Sequence, residues 1–369
     1  MKYCVLGSGL MGRAIAYDLL TQNDTEQVVL VDKNVEALRA TLLQNDSRLQ
    51  TKTVDVSNVQ DVINVLKDAD AAVAAIHYAF NPQFTKAAIE TKTHLCDLGG
   101  NNTIVEEQLK LNDEAKKAGI SVIPDCGLAP GMVAVLVKWG IEKFNWAHSV
   151  KIRVGGLPQN PINTLKYGRL FSVEGLINEY IEPVKVLRNG KIETIEPLCE
   201  IEEIEFPSPF YTLEAFTTSG GVSTLVETYK NKLKNLDYKT IRYPGHCSIV
   251  RSMYELGLFA GESRKVTAKL IEKNIPICTE DATLVKIIFE GDSKKHELTI
   301  IDKPTKKPDV TSMMRMTAYP AAIISQMQAR KKINPGVQTQ ENCVPADLFI
   351  TELEKRNIVV NGLISMSAV

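Results

Sequence analysis

Three glycines and an aspartate near the N-terminus have the types and spacing to hold a dinucleotide. Gly7-x-Gly9-x-x-Gly12 follows the apolar run Tyr3-Cys-Val-Leu6 and precedes a stretch with Ile15 and Leu19 four apart. Strand, glycine turn and helix in that order form the phosphate-binding context of the motif. Gly7 allows the tight turn, Gly9 lets the backbone approach a pyrophosphate, and Gly12 lets helix and strand pack closely. Leu10 and Met11 then carry N–H groups of the first helical turn toward the phosphates. Asp32 stands twenty residues after Gly12, at the end of Val28-Val-Leu-Val31. A carboxylate there accepts from the adenosine ribose hydroxyls and repels a 2′-phosphate, so the cofactor expected is NAD rather than NADP.

The elements that position these residues come from an ordinary globular chain. Its 369 residues suggest two or three domains, and 44% apolar with 24% charged residues is the usual balance. Lys plus Arg is 43 and Asp plus Glu 44, so no global field favours nucleic acid or an anionic membrane. No apolar stretch of about twenty residues is present, so no membrane span is expected. Seven scattered cysteines and five histidines show no CxxC or HxxxH pair, which argues against a structural metal site. Reduced thiols and an N-terminus that is already strand one point to the cytoplasm.

Further candidates fall where strands end. Asn34 to Gln44 has the spacing of a helix, with Leu38 and Leu42 on one face. Thr51 to Asp55 reads as a third strand, and Asp55 is a cofactor candidate or a plain N-cap. Ser57 to Leu66 reads as a helix. Ala71 to Ile76 is a buried fourth strand, which brings Ile76 to the cofactor and His77 toward the nicotinamide, unless His77 is only a loop residue. Thr93 to Cys96 is a fifth strand that runs into Asp97-Leu-Gly-Gly-Asn-Asn102. Ile120 to Pro124 is a sixth, followed by Asp125-Cys126 and a Pro–Gly loop. Strands alternating with helices predict one parallel, doubly wound Rossmann sheet over residues 1–131.

Beyond Met132 to Phe144, which reads as a helix, the pattern changes. Alternating apolar and polar residues predict a second, α+β domain over 132–312, with a mainly antiparallel sheet. Phe171-Ser reads as a strand, and Ala215 to Tyr229 and Ser248 to Leu258 read as helices. Thr283–Phe289 and His296–Ile301 read as a hairpin. Helices from Met313 and from Pro345 are expected to return, with the rest of 313–369, to the Rossmann domain.

The text resembles the saccharopine dehydrogenase-like superfamily, and within it the branch of L-lysine 6-dehydrogenases. The carriers are the glycine fingerprint, Cys96-Asp-Leu-Gly-Gly-Asn101, Pro124-Asp-Cys-Gly-Leu-Ala-Pro-Gly131, Gly155-Gly-Leu-Pro158, Phe171-Ser-Val-Glu-Gly-Leu-Ile-Asn-Glu-Tyr180 and Thr240-Ile-Arg-Tyr-Pro-Gly-His246. The resemblance covers nearly the whole chain. It implies a Rossmann domain, NAD, a homodimer made through the catalytic domain, and oxidation of an amine carbon of a small amino-acid substrate.

That chemistry implies tasks. Hydride leaves only from a neutral amine, so a base must take a proton, and a water must hydrolyse the imine. A cation should hold the α-carboxylate and an anion the α-ammonium. Arg242 is the candidate cation, since a guanidinium binds a carboxylate bidentately; otherwise it is a structural ion pair. His246 is the leading base, with a structural histidine as the alternative. Asp97 is the second base or an amine anchor; otherwise it caps the N–H groups of its loop. Tyr167 and Glu174 are pocket candidates, or surface residues. Cys126 is a neutral wall residue.

Two other functions fit the same text. Saccharopine reductases and carboxynorspermidine-type enzymes share the signatures. Their larger products need a second carboxylate clamp, for which Arg153, Arg169 and Arg251 are candidates. A dinucleotide-binding regulatory protein without chemistry is the reading from a different class.

Overall fold

Lys2–Leu6 forms the first strand, β1, and four of its five side chains are buried. In the computed structural model, which describes residues 1–34, 36–37, 45–306 and 308–364, the chain divides into two units. The first contains Met1–Trp139 and Met314–Arg356; the second contains Gly140–Met313 and Asn357–Val369.

The first unit is built on a parallel sheet. Its strands are β1, β2 (Gln27–Asp32), β3 (Leu49–Thr53), β4 (Ala71–Ala74), β5 (His94–Asp97) and β6 (Ser121–Ile123). A short strand from the C-terminal region, Gly336–Val337, pairs with β6 and completes the edge. The order across the sheet is β3-β2-β1-β4-β5-β6, then that strand. It reverses between β1 and β4, and such a switch point opens the crevice where open α/β sheets take ligands. The register puts Leu6 beside Val31 and beside Ala74, so Gly7, Asp32 and Ala75 leave the sheet together.

Helices α1 (Leu10–Leu20), α2 (Val59–Leu66), α3 (Asn81–Thr91), α4 (Asn102–Leu109) and α5 (Asn112–Ala118) alternate with these strands. Two are capped as their sequences suggest. The Asn58 side chain accepts from Gln60 N–H at the start of α2, and the Asn101 side chain from Ile104 N–H at the start of α4. β3 lies two residues earlier than the sequence suggests, so Asp55 falls in the loop after it. β4 ends at Ala74, short of the expected Ile76. The helix expected from Asn34 to Gln44 falls largely outside the described residues.

The second unit carries a mixed, mainly antiparallel sheet. After α6 (Met132–Lys143) come β7 (Ser149–Pro158), α7 (Val173–Ile181), β8 (Val184–Arg188), β9 (Lys191–Ile195), β10 (Glu202–Glu205), β11 (Thr212–Thr217), α8 (Leu225–Tyr229) and β12 (Asn235–Arg242). Then follow α9 (His246–Glu255), α10 (Gly261–Asn274) and the hairpin β13 (Asp281–Gly291) and β14 (Lys294–Asp302). The order is β10-β11-β12-β7-β13-β14, and β12 runs parallel only to β7.

Two expectations are corrected here. Ala215–Thr217 is strand, not helix, because Phe216 and its neighbours pair with β12; the helix forms only after the Gly220–Gly221 break. Phe171-Ser172 is not a strand but the lead into α7. Val173, Leu176, Ile177 and Tyr180 are buried at 0, 3, 4 and 7 spacing, and the Ser172 hydroxyl accepts from Gly175 N–H as N-cap.

A long helix, α11 (Ser312–Ala329), leads back to the first unit, which also holds α12 (Gln340–Cys343) and α13 (Ala346–Lys355). The chain beyond Arg356 belongs instead to the second unit, where Asn361 pairs with Thr299.

Candidate functional site

The first unit presents a phosphate cradle. Gly7 has φ +101°, a conformation that a side chain would strain, and its N–H donates to Val31 O at 2.8 Å. A Cβ at Gly12 would overlap Gly7 O, so only glycine lets α1 come this close to the turn. Gly9 has open space where its side chain would be. No side chain among the described residues caps α1, and its first turn holds no acid, so this helix end suits an anion. Leu10 and Met11 lie in that turn and are partly exposed. These features fit a bound dinucleotide.

Asp32 is fixed by two backbone donors. Ser8 N–H reaches Oδ2 and Asn34 N–H reaches Oδ1, both at 2.8 Å. The carboxylate keeps lone pairs for ribose hydroxyls. Ile76 packs its methyl against Gly7, which makes it part of the cradle floor. Asp55 is exposed and accepts from the N–H and hydroxyl of Ser57, as a loop-forming residue would. His77 is also exposed. Its Nδ1 accepts from Ala79 N–H at 3.3 Å, and its ring lies 4.3 Å from that of Tyr78.

Asp97 and Cys126 lie deeper. Asp97 is fully buried and accepts from Gly99 N–H (2.8 Å), Gln108 Nε2 (2.8 Å) and Asp125 N–H (3.1 Å). Burial raises its pKa to about 6, against the pull of those donors. The geometry is that of a carboxylate holding the glycine loop and the start of the Asp125 loop, not of one open to a substrate proton. Cys126 is buried too, and its thiol donates to Ile123 O at 3.2 Å. Burial pushes that thiol well above its ordinary range, consistent with a neutral wall residue.

In the second unit β12 ends at Arg242, and the Tyr-Pro-Gly turn leads straight into α9 at His246. Glu214 on the neighbouring strand β11 accepts from Gly245 N–H (2.9 Å) and Cys247 N–H (2.6 Å), which pins the first turn of α9. His246 is thereby fixed in place. Its Nδ1 lies 2.8 Å from Leu165 O. A carbonyl only accepts, so Nδ1 carries the hydrogen and Nε2 is the lone pair. Tyr180 O–H, 3.0 Å away, donates to that Nε2, and Arg242 Nε–H donates to the Tyr180 oxygen at 3.4 Å.

This donor chain holds Arg242 and disarms His246. Burial and the Arg242 charge lower the imidazole pKa to about 3. With its lone pair spent on Tyr180, the ring is a poor proton acceptor, and the expected general-base role loses its geometric support. Arg242 is 2% exposed. Besides Tyr180 it donates from Nη1 to Ile241 O at 3.0 Å, and its guanidinium lies over the Tyr167 ring, 5.1 Å from the centroid. Among the described residues it has no carboxylate partner, and Nη2 makes no hydrogen bond.

The structure thus gathers Tyr167, Arg242 and His246 and leaves out Glu174. That residue is exposed in the first turn of α7 and pairs with Arg264 at 2.6 Å. Two members of the cluster were not foreseen: Tyr180, which links Arg242 to His246, and Glu179 beside it. Glu179 is partly exposed, and burial raises its pKa to about 7 against the pull of Arg242. The helical spacing of Val173, Ile177 and Tyr180 was the available signal. The three other arginines are engaged elsewhere. Arg153 pairs with Glu202 and Asp237, Arg169 donates to Ile275 O, and Arg251 pairs with Glu255 at the surface. No described helix is long and apolar enough to cross a membrane.

Comparison with known proteins also divides the chain in two, with the break between β6 and α6. Residues 3–123 match the model of the saccharopine dehydrogenase NADP binding domain, and 127–359 that of the saccharopine dehydrogenase C-terminal domain. A saccharopine dehydrogenase [NADP(+), L-glutamate-forming] of Saccharomyces cerevisiae is 27% identical over 83% of this chain and 68% of its own length. The structure of the apo L-Glu-forming saccharopine dehydrogenase from the same yeast superposes with a TM-score of 0.80 at 20% identity, covering 98% of both chains. A homospermidine synthase from Legionella pneumophila, solved with NAD, gives 0.71 at 12% identity, covering 99% of this chain and 91% of its own. Two family models that meet between β6 and α6 and together span almost all of the sequence leave one conclusion: the chain belongs to the saccharopine dehydrogenase family.

Proposed function

We propose that the protein is an oxidoreductase of lysine metabolism that oxidises the ε-amine of L-lysine with NAD. The products are 2-aminoadipate 6-semialdehyde, which cyclises, and ammonia. The observation that carries this reading is Arg242, a buried guanidinium with no carboxylate partner among the described residues and a free Nη2. A buried cation is costly unless compensated, and a substrate carboxylate supplies the missing charge. NAD, when bound, accepts the hydride from Cε. The chain's own residues bind and orient. Arg242 receives the α-carboxylate, Tyr180 and His246 hold the guanidinium in register, and Tyr167 stacks beneath it. The ε-ammonium would lose one proton to solvent, hydride, a hydrogen with its electron pair, would leave Cε, and water would convert the iminium so formed to aldehyde and ammonium.

The choice of NAD rests on Asp32, whose carboxylate a 2′-phosphate would have to approach. It runs against the cofactor named for the yeast relative and the matched domain model. The second reading, a glutamate-forming saccharopine dehydrogenase, draws on that relative's name. Saccharopine carries further carboxylates, and Arg153, Arg169 and Arg251 are all otherwise engaged, which favours the smaller substrate.

Absorbance at the NADH band with L-lysine, L-ornithine and saccharopine in parallel tests the proposal. Turnover of L-lysine without any keto-acid co-product supports it. Turnover of saccharopine alone, with glutamate released, replaces it with the second reading.

A further inference from the structure

We infer that the Tyr167 hydroxyl is the second donor to the substrate carboxylate, taking one oxygen while Arg242 Nη2 takes the other. This rests on the reading of Arg242 as the carboxylate site. Tyr167 is 3% exposed, and two contacts locate its ring. The Arg242 guanidinium lies over it, 5.1 Å from the centroid, and the His246 ring packs edge-on at 5.6 Å. Its backbone is tied as well. Asn163 Oδ1 accepts from Tyr167 N–H at 3.2 Å, and Asn163 Nδ2 donates to Tyr167 O at 2.6 Å. A Cβ at Gly168 would strike the Cys278 side chain, so the next residue is closely held too.

The hydroxyl is the loose end. Among the described residues the hydrogen bonds of Tyr167 are made by its backbone alone. The tyrosines near it are spent: Tyr180 bridges Arg242 and His246, and Tyr243 donates to Pro158 O at 2.8 Å. A tyrosine buried this deeply usually gives its O–H a partner. Neither the Tyr167 oxygen nor Arg242 Nη2 is sealed from solvent, so a ligand can reach both. Two unpaired donors therefore belong to one stacked pair, one on the guanidinium and one on the rim of the ring it covers. Donors so placed suit the two oxygens of a carboxylate, one each. Both hold their protons. A guanidinium stays charged, and burial pushes the phenol far above its ordinary range. Binding then moves no proton. Fixing both oxygens sets the rotation of the carboxylate about its bond to Cα, and with it the direction in which the substrate side chain leaves.

The test removes the hydroxyl alone. Tyr167→Phe keeps the ring under Arg242. Its calorimetric affinity for L-lysine should fall roughly 10- to 100-fold, the worth of a hydrogen bond to a charged group. Affinity for NAD and the melting temperature of the free protein should match wild type, while the rise in melting temperature with L-lysine shrinks. A lower melting temperature without ligand, or an equal loss of NAD affinity, would make the hydroxyl a structural group and overturn the inference. The second measurement is a double-mutant cycle. In an Arg242→Met background Tyr167→Phe should cost L-lysine much less than it does alone, because the two donors share one carboxylate. The same cost in both backgrounds would mean that they do not share it, and would also overturn the inference. If L-lysine does not bind wild type, or Arg242→Met leaves its affinity unchanged, the reading of Arg242 falls and this inference falls with it. If Arg242→Met weakens L-lysine while Tyr167→Phe does not, only the Tyr167 inference fails.

Discussion

Two buried arginines, one in each unit, are treated in opposite ways. Arg356 in the first unit is saturated. Its Nε and Nη2 meet both oxygens of Asp18 at 2.7 and 2.9 Å, Nη1 meets Glu352 at 2.8 Å, and Gln326 takes a further bond. Arg242 in the second unit is as deeply buried and has a phenol, a carbonyl and an aromatic face. The first arrangement locks the C-terminal helix to α1 and has no donor left for a ligand. The second is incomplete without one. Burial alone does not distinguish a structural arginine from a binding one; the accounting of its partners does.

The largest effect expected is on stability. Arg356→Ala strands Asp18, fully buried, without its counter-charge, and removing one partner of such a pair costs about 3–5 kcal/mol. Urea unfolding should show this loss. Arg242→Met, which keeps the volume and strands no carboxylate, should lose much less. Equal losses would break the comparison and make Arg242 structural.

Next in size is the binding effect of the same Arg242→Met variant. Losing a desolvated charge contact costs about 2–5 kcal/mol of affinity for L-lysine. Affinity for NAD should not change. A parallel fall in both, measured by calorimetry, would place the residue's role in the fold.

The third effect concerns the first unit's own ligand. Asp32→Ala removes an acceptor of the ribose hydroxyls, worth about 1.5–3 kcal/mol for a charged hydrogen bond. The Michaelis constant for NAD should rise, and NADP should be used relatively better. A wild-type protein that prefers NADP ends the NAD assignment.

The two regions also differ in how much of them a reader of the sequence can recover. In the first unit the functional atoms are mostly backbone N–H groups, and local spacing dictates where these point. Gly7, Gly12 and Asp32 therefore stand where their spacing puts them. In the second unit the site is made of groups brought together from β12, α7, α9 and the loop at Tyr167, up to 81 positions apart. Spacing does not encode such convergence. Taking Phe171-Ser as a strand put Glu174 beside it as a pocket candidate. The helix that follows buries Tyr180 and leaves Glu174 at the surface beside Arg264. Asp97 was legible as a strand-end acid, but its saturation by three N–H donors depends on Gln108 and Asp125, which no local pattern ties to it.

The smallest effect, and the most specific, concerns His246. Its imidazole is neutral because burial and Arg242 lower its pKa to about 3, whereas in the unfolded chain a histidine titrates near 6.5. Between those values the unfolded state binds a proton that the native state refuses. Stability therefore falls as pH drops from about 6.5 toward 3, and is unaffected by this residue above neutrality. The stability difference between wild type and His246→Gln should shrink by about 1.4 kcal/mol between pH 7.5 and pH 5.5. Taking the difference cancels every other titrating group common to the two proteins. A constant difference would mean that the folded imidazole titrates normally and is free to act as a base. Kinetics gives the matching half of the test. An imidazole that only positions Tyr180 and Arg242 cannot set the alkaline rise of kcat/KM, which comes from the substrate ammonium, near 10.4 in solution. His246→Gln should therefore lower the whole profile through a raised KM for L-lysine and keep its slope. If the rising limb flattens in the variant, the imidazole is the proton acceptor, and the donor chain from Arg242 to Leu165 opens during turnover.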